Sequence, residues 1–250
     1  MRISELLRPL KGLLSRLHMK NVGKVAALDA SGQARLQALR ALSVPDMDQP
    51  ASHLRWVVVD VETSGLNIAE DRLLAIGAVA VRNGRIDLAD SLEVVLHQSV
   101  VSSDANILIH RLSGGMQRGG EQPTTALLEF LEYVGNSPLV GFHARFDETM
   151  LRRACGQHLG YAPRRRWLDV AALAPVLFPV GTPGMPSLDW WLERFLIKAR
   201  HRHNAAADAF YTARLLAILL AAGAKAATRS GRALVDLADG HDWLSRWLPG

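Results

Sequence analysis

Along the first twenty positions, apolar residues recur at steps of three and four: Ile3, Leu6, Leu7, Leu10, Leu13, Leu14 and Leu17. On a helix they form one stripe. Arg2, Arg8, Lys11, Arg16 and Lys20 lie among them, against the single acid Glu5. Such a helix either packs on its own domain, docks on a partner or lies on a membrane surface. A second helical stretch is expected from Gln33 to Leu42, and residues 44–50 read as a linker. From Trp56 the pattern changes. Trp56-Val57-Val58-Val59-Asp60-Val61 is a short β-branched run, as a buried strand requires. Leu73 to Val81 is another apolar run, and Arg85 to Leu96 a third strand. Asn83-Gly84 between them predicts a hairpin whose central residues both take positive φ.

Beyond the three strands the periodicity is mixed. Thr124 to Val134 is expected to be helical, Pro138 to Phe142 a short buried strand, and Glu148 to His158 a helix. A short strand or turn is expected near Trp167, with a helix from Val170 to Leu177. Residues 181–186, rich in Gly and Pro, form a loop. Ser187 is placed to cap a helix that runs to Phe195, and Ala205 to Ala222 is helical. Trp243, Leu244, Trp247 and Leu248 repeat at helical spacing in the tail, as a docking peptide or as a helix on the core. An antiparallel meander followed by alternating helices and short strands predicts an α/β class, α+β in its mixed sheet. The expected organisation is a helical N-terminal extension and linker over 1–50, a main domain over 51–225 and a helical tail over 226–250.

Composition sharpens the picture only a little. A chain of 250 residues that is 49% hydrophobic and 21% charged builds an ordinary core and is not globally disordered. A net charge of +5 favours polyanionic partners such as nucleic acid or an acidic membrane surface. The single cysteine, Cys155, excludes an intramolecular disulfide and a cysteine-built zinc site. It suits a reducing compartment, and a cytoplasmic location is expected. No uninterrupted apolar run is long enough to predict a spanning membrane segment.

The informative residues are acids in costly places. Asp60 and Glu62 end an apolar strand, and their separation of two puts both side chains on one face. Adjacent buried carboxylates repel and lose hydration, and a hard divalent cation relieves both effects. The following turn, Thr63-Ser64-Gly65-Leu66, allows backbone N–H groups close to a phosphate or a terminal sugar. Asp147 follows a strand and turn, 139–146, at a helix entrance, where an acid is ordinary by itself. Asp208 sits among small residues in Ala205-Ala206-Ala207-Asp208-Ala209, so close packing is expected and the acid should have a partner. His203 lies on the loop into that helix, where it is either a surface histidine or a proton acceptor.

Taken together, Asp60-Val61-Glu62-Thr63-Ser64-Gly65-Leu66, Phe146-Asp147 and His203-Asn204-Ala205-Ala206-Ala207-Asp208-Ala209 resemble, in order, the three motifs of the DEDDh (DnaQ-like) 3′→5′ exonucleases. That family includes the proofreading epsilon subunit of bacterial DNA polymerase III. The likeness covers 56–220, and Ser187-Leu188-Asp189 is similar to the stretch that leads into the third motif. Two departures are visible. His143 stands where the family's second motif usually carries Asn, and His110-Arg111-Leu112-Ser113 replaces a His-Gly-Ile-Thr-like stretch.

The resemblance implies a ribonuclease-H-like exonuclease fold with a helical N-terminal extension. It implies two Mg²⁺ or Mn²⁺ ions held by Asp60, Glu62, Asp147 and Asp208, with Asp60 bridging both and His203 as the general base. Thr63, Ser64, Gly65, Leu66, His143 and Phe146 would hold the terminal nucleotide. Arg145, Arg200 and Arg202 are candidate phosphate contacts. The partner would be a nucleic acid with a free 3′ end, single-stranded DNA first, cut to 5′-mononucleotides. A polymerase or another protein could dock through residues 1–20 or the C-terminal tail. Trimming of RNA or short oligoribonucleotides is the alternative, because nothing in the motifs selects deoxyribose. A non-catalytic adaptor is the third reading.

Overall fold

The computed structural model describes residues 28–181, 185–200, 202–225 and 230–247. The amphipathic stretch over residues 1–20 lies outside them, as do the side chains of Trp243, Leu244 and Trp247 and the whole of Leu248.

Helix α1 (Ala30–Arg40) opens the described chain, capped by the Asp29 carboxylate, which accepts from the Gly32 N–H at 2.7 Å. Strands β1 (Trp56–Thr63), β2 (Leu73–Arg82) and β3 (Arg85–Val95) form the antiparallel meander. At the tip of the β2–β3 hairpin, Asn83 and Gly84 take φ of 52° and 68°, as the Asn-Gly pair predicts. Two short helices follow, α2 (Asp104–His110) and α3 (Gly114–Arg118), each capped by a serine hydroxyl. Then come α4 (Pro123–Val134), β4 (Leu139–Gly141), α5 (Arg145–Leu159), β5 (Trp167–Asp169) and α6 (Val170–Leu177). Helices α7 (Leu188–Arg194), α8 (Ala205–Lys225) and α9 (Gly231–Trp247) complete the chain.

The five strands pair in the order β3-β2-β1-β4-β5, antiparallel on the meander side and parallel from β1 to β5. This mixed sheet is the expected α/β arrangement. Alternation along β1 builds two cores. Val57, Val59 and Val61 face a layer made by α1, α4 and α5, with Leu36, Leu127, Phe130 and Met150. Trp56 and Val58 face the opposite layer of α6, α7, α8 and α9, with Leu173, Trp191, Leu215 and Leu234.

Residues 46–54 run beside α9 rather than through open solvent. The Arg232 N–H donates to the Met47 carbonyl at 2.8 Å, and Met47 and Leu54 are buried in the same core as Leu234 and Val235. Helix α1 is held to α4 by a two-pronged Arg35–Glu132 ion pair at 2.7 and 2.8 Å. Ala205–Ala224 is long and apolar enough to cross a membrane, but it lies against β1 and β2 with 56% of its most apolar stretch buried, as a core helix does.

Candidate active site

The site forms at the end of β1. Asp60 and Glu62 share the face of the sheet that α8 covers, the face also lined by Val58. Gly77 lies directly opposite Asp60 in the β1–β2 register. A Cβ at Gly77 would overlap the backbone of Ala205 and Ala206. The missing side chain therefore lets the first turn of α8 rest on the sheet, which carries Asp208 toward Asp60. From the other layer, the β4–α5 turn brings in Asp147, whose Oδ1 accepts from the Val61 N–H at 3.1 Å.

Asp60 senses the other three carboxylates. Burial, then the charges of Asp147, Glu62 and Asp208, hold the Asp60 carboxyl well above the usual carboxylate range. Burial likewise pushes Asp147 up to about 8, against the stabilising backbone N–H groups. Asp208 is raised by burial and drawn back by Arg202 and the His203 N–H. Glu62, Asp147 and Asp208 are no more than 6% exposed. Acids this deep and this close are costly unless a cation joins them.

Several of their oxygens already have neighbours. His110 Nδ1 meets Glu62 Oε2, and Arg202 Nη1 meets Asp208 Oδ1. Asp208 Oδ2 accepts from the His203 N–H at 3.1 Å. Among the described residues no three His, Cys, Asp or Glu side chains are drawn together around one point as ligands of a single ion. Yet Glu62 Oε1 is buried without a hydrogen-bond partner. An all-oxygen donor set with an orphaned carboxylate oxygen has the chemistry that a hard divalent cation requires.

The turn after Glu62 is built around an acid that the sequence did not single out. Asp71 accepts from the Ser64 hydroxyl at 2.7 Å and from the Asn67 N–H at 2.8 Å. A Cβ at Gly65 would strike that carboxylate, so the turn needs glycine there. Thr63 is buried and its hydroxyl donates to the Gly65 carbonyl at 2.7 Å. Leu66 projects from the turn, 86% exposed. On the other rim His143 is exposed at φ 57°, and its N–H donates to Asp169 Oδ1 at 3.0 Å. Phe146 packs partly buried against the α4–α5 core. His203 is exposed at φ 64°, one residue beyond Arg202.

The three candidate phosphate contacts separate. Arg145 is exposed at the start of α5, whereas Arg202 is committed to acids, with its Nε donating to Asp189 Oδ1 at 2.6 Å. The Arg200 backbone is fastened to the Tyr211 hydroxyl at 2.6 and 2.7 Å. Asn106 was also missed. It is buried beneath the site, and its Nδ2 donates to the Thr63 carbonyl at 2.8 Å. Ser103 and Ser113, which cap α2 and α3, were readable signals, but helices of 7 and 5 residues are too short for periodicity.

Comparison with known proteins shows the family. The RNase_T exonuclease family model matches residues 57–216. The PolC-type DNA polymerase III of Thermotoga petrophila is 29% identical over 168 residues, which are 67% of this chain and 12% of that protein. The PolC-type enzyme of Clostridium perfringens is 28% identical over 161 residues, 64% of this chain and 11% of that protein. The chain thus spans about one-eighth of the length of these relatives. Escherichia coli Exonuclease I, solved with a dT13 oligonucleotide, superposes with a TM-score of 0.59 at 18% identity, over 69% of this chain and 42% of that one. Exonuclease X, solved with 5′ overhanging duplex DNA, gives 0.54 at 19% identity, over 73% and 99%. The chain belongs to the RNase_T exonuclease family, as a DnaQ-like 3′–5′ exonuclease domain with a ribonuclease-H-like fold.

Proposed function

We propose that the protein removes nucleotides from the 3′ end of single-stranded DNA, releasing 5′-mononucleotides, with two Mg²⁺ or Mn²⁺ ions held by Asp60, Glu62, Asp147 and Asp208. Exonucleases of this family use divalent metal ions. The observation that carries the assignment is the convergence of these four acids on one strand end, with their charges raising the proton affinity of Asp60 and a Glu62 oxygen left unpartnered. When bound, two such ions activate a water and stabilise the departing 3′ oxygen.

The chain's own residues supply the rest. His203 takes the proton of the attacking water while that oxygen bonds to phosphorus and the 3′ P–O bond breaks. Its N–H bond to Asp208 ties it to the third motif, and its exposed position on the rim leaves the imidazole accessible to solvent. The Thr63–Leu66 turn, braced by Asp71, offers an apolar tip to the terminal base and backbone N–H groups to the sugar. His143 and Phe146 border the opposite side. The DNA bound in the complexes of Exonuclease I and Exonuclease X supports DNA as the first substrate to test.

The test uses a 5′-labelled single-stranded DNA oligonucleotide with Mg²⁺ or Mn²⁺, alongside its RNA counterpart. The expected result is a ladder shortening from the 3′ end, abolished by EDTA and by Asp60→Ala. Shortening of RNA alone would transfer the assignment to RNA trimming. Cleavage that survives Asp60→Ala would overturn the metal assignment.

A further inference from the structure

Both oxygens of Asp208 face a named protein group. Oδ2 accepts from the His203 N–H at 3.1 Å, and Oδ1 faces Arg202 Nη1. Glu62 differs, because His110 takes one oxygen and leaves the other unpartnered. Each Asp208 oxygen keeps a second lone pair, so the His203 N–H leaves Oδ2 able to ligate a cation, whereas the guanidinium sets a like charge beside Oδ1. The His203 N–H is fixed by the backbone of a turn that leads directly into α8.

Arg202 is the partner that can give way. Its Nη1 meets the Asp208 Oδ1 at the end of a long side chain that can rotate, whereas the His203 N–H belongs to the backbone. The same guanidinium makes a well-directed bond elsewhere, from Nε to Asp189 Oδ1 at 2.6 Å. Asp189 sits on α7 with its side chain 63% exposed, whereas the Asp208 side chain is 9% exposed. Arg202 is therefore shared between a buried acid that would ligate metal and an exposed acid that would not.

We propose that Arg202 is a positioning residue that competes with a divalent cation for Asp208, and that Asp189 is the anchor that draws the guanidinium away when the cation binds. The inference rests on the reading of Asp208 as a metal ligand. A guanidinium beside the ligating oxygen repels an incoming cation, so Arg202 lowers the site's affinity for metal while it neutralises Asp208. A purely structural arginine would have the opposite signature, because its loss would loosen the site and weaken metal binding.

The experiment measures Mn²⁺ binding to the full-length, EDTA-stripped protein by electron paramagnetic resonance of the free ion. It compares wild type, Arg202→Gln, Asp189→Asn, the double variant and Asp60→Asn, with a thermal melt of each in EDTA. Arg202→Gln is expected to bind Mn²⁺ about tenfold more tightly while melting lower in EDTA. Asp189→Asn should bind about threefold more weakly, because the guanidinium loses its second anchor. The double variant should bind like Arg202→Gln alone. Equal or weaker binding by Arg202→Gln overturns the proposal. If that variant does not fold, unchanged or tighter binding by Asp189→Asn overturns it instead. Wild-type binding that is absent, or indifferent to Asp60→Asn, would sink the metal assignment itself and this inference with it.

Discussion

At the scale of the residue, the site is a problem of charge held where water is scarce. Asp60 carries the largest burden, since burial and three neighbouring carboxylates all disfavour its ionised form. Asp60→Asn keeps the shape and removes the charge. It should lower the cleavage rate by at least the 10²–10⁴-fold that is typical of losing a catalytic group, while raising the melting temperature in EDTA. A loss of both activity and stability would mean that the acid serves the fold rather than the chemistry. His203 makes a separable contribution. Its backbone N–H, not its ring, holds Asp208, so His203→Gln should preserve that bond and metal binding yet slow hydrolysis about 10²–10⁴-fold. Equilibrium Mn²⁺ binding together with single-turnover cleavage checks this, and weaker binding with normal saturated turnover would contradict the base role.

At the scale of the element, the decisive contact is α8 on β2. Gly77 has no Cβ because the backbone of Ala205 and Ala206 occupies that space. Gly77→Ala should force the start of α8 off the sheet, at a cost of about 1–3 kcal/mol for overpacking. A shift of about 1 Å in Asp208 would also slow catalysis roughly 10²-fold. Gly156, in the last turn of α5, meets nothing where its Cβ would be. Gly156→Ala should therefore stabilise by about 0.5–1 kcal/mol through helix propensity and leave activity intact. Denaturant unfolding with paired rate measurements separates the two glycines, and equal behaviour would remove the packing explanation. This contrast also marks what was legible in the sequence. Helix α6 and the Asn83-Gly84 hairpin follow from local rules, and Asp60 and Glu62 declare themselves by standing at the end of an apolar strand. Gly77 was silent, because a glycine within an apolar run does not reveal which distant backbone needs its space. Asp71 and Asn106 were silent for the same reason, and Asp189, legible only as part of a motif, gave no sign of its bond to Arg202, since these partners are fixed only by tertiary approach.

At the scale of the whole molecule, the acid cluster should govern how stability varies with pH. A carboxyl whose folded pKa lies above its unfolded value binds its proton more tightly in the native state. Native stability then falls as pH rises from the unfolded value, 3.8, through the folded one, about 8 for Asp147, and levels off beyond it. Asp60, Asp169 and Asp208 act in the same direction. The paired surface acids Asp90 and Glu132 are lowered by Arg55 and Arg35, so their contribution is present above the unfolded pKa and is lost only in acid below it. His158, depressed by burial, works the other way near neutrality, but it is one group against four carboxyls. In EDTA the melting temperature should therefore drop by roughly 5–10 °C between pH 5.5 and pH 8. Asp60→Asn should flatten that slope, because it deletes the charge that the fold tolerates least. Saturating Mn²⁺ should flatten it as well, by stabilising the ionised cluster. A wild-type slope in EDTA that is flat or rising with pH would show that the four acids do not share one electrostatic site. A slope that falls, but is untouched by both Mn²⁺ and Asp60→Asn, would place the titrating groups elsewhere in the molecule.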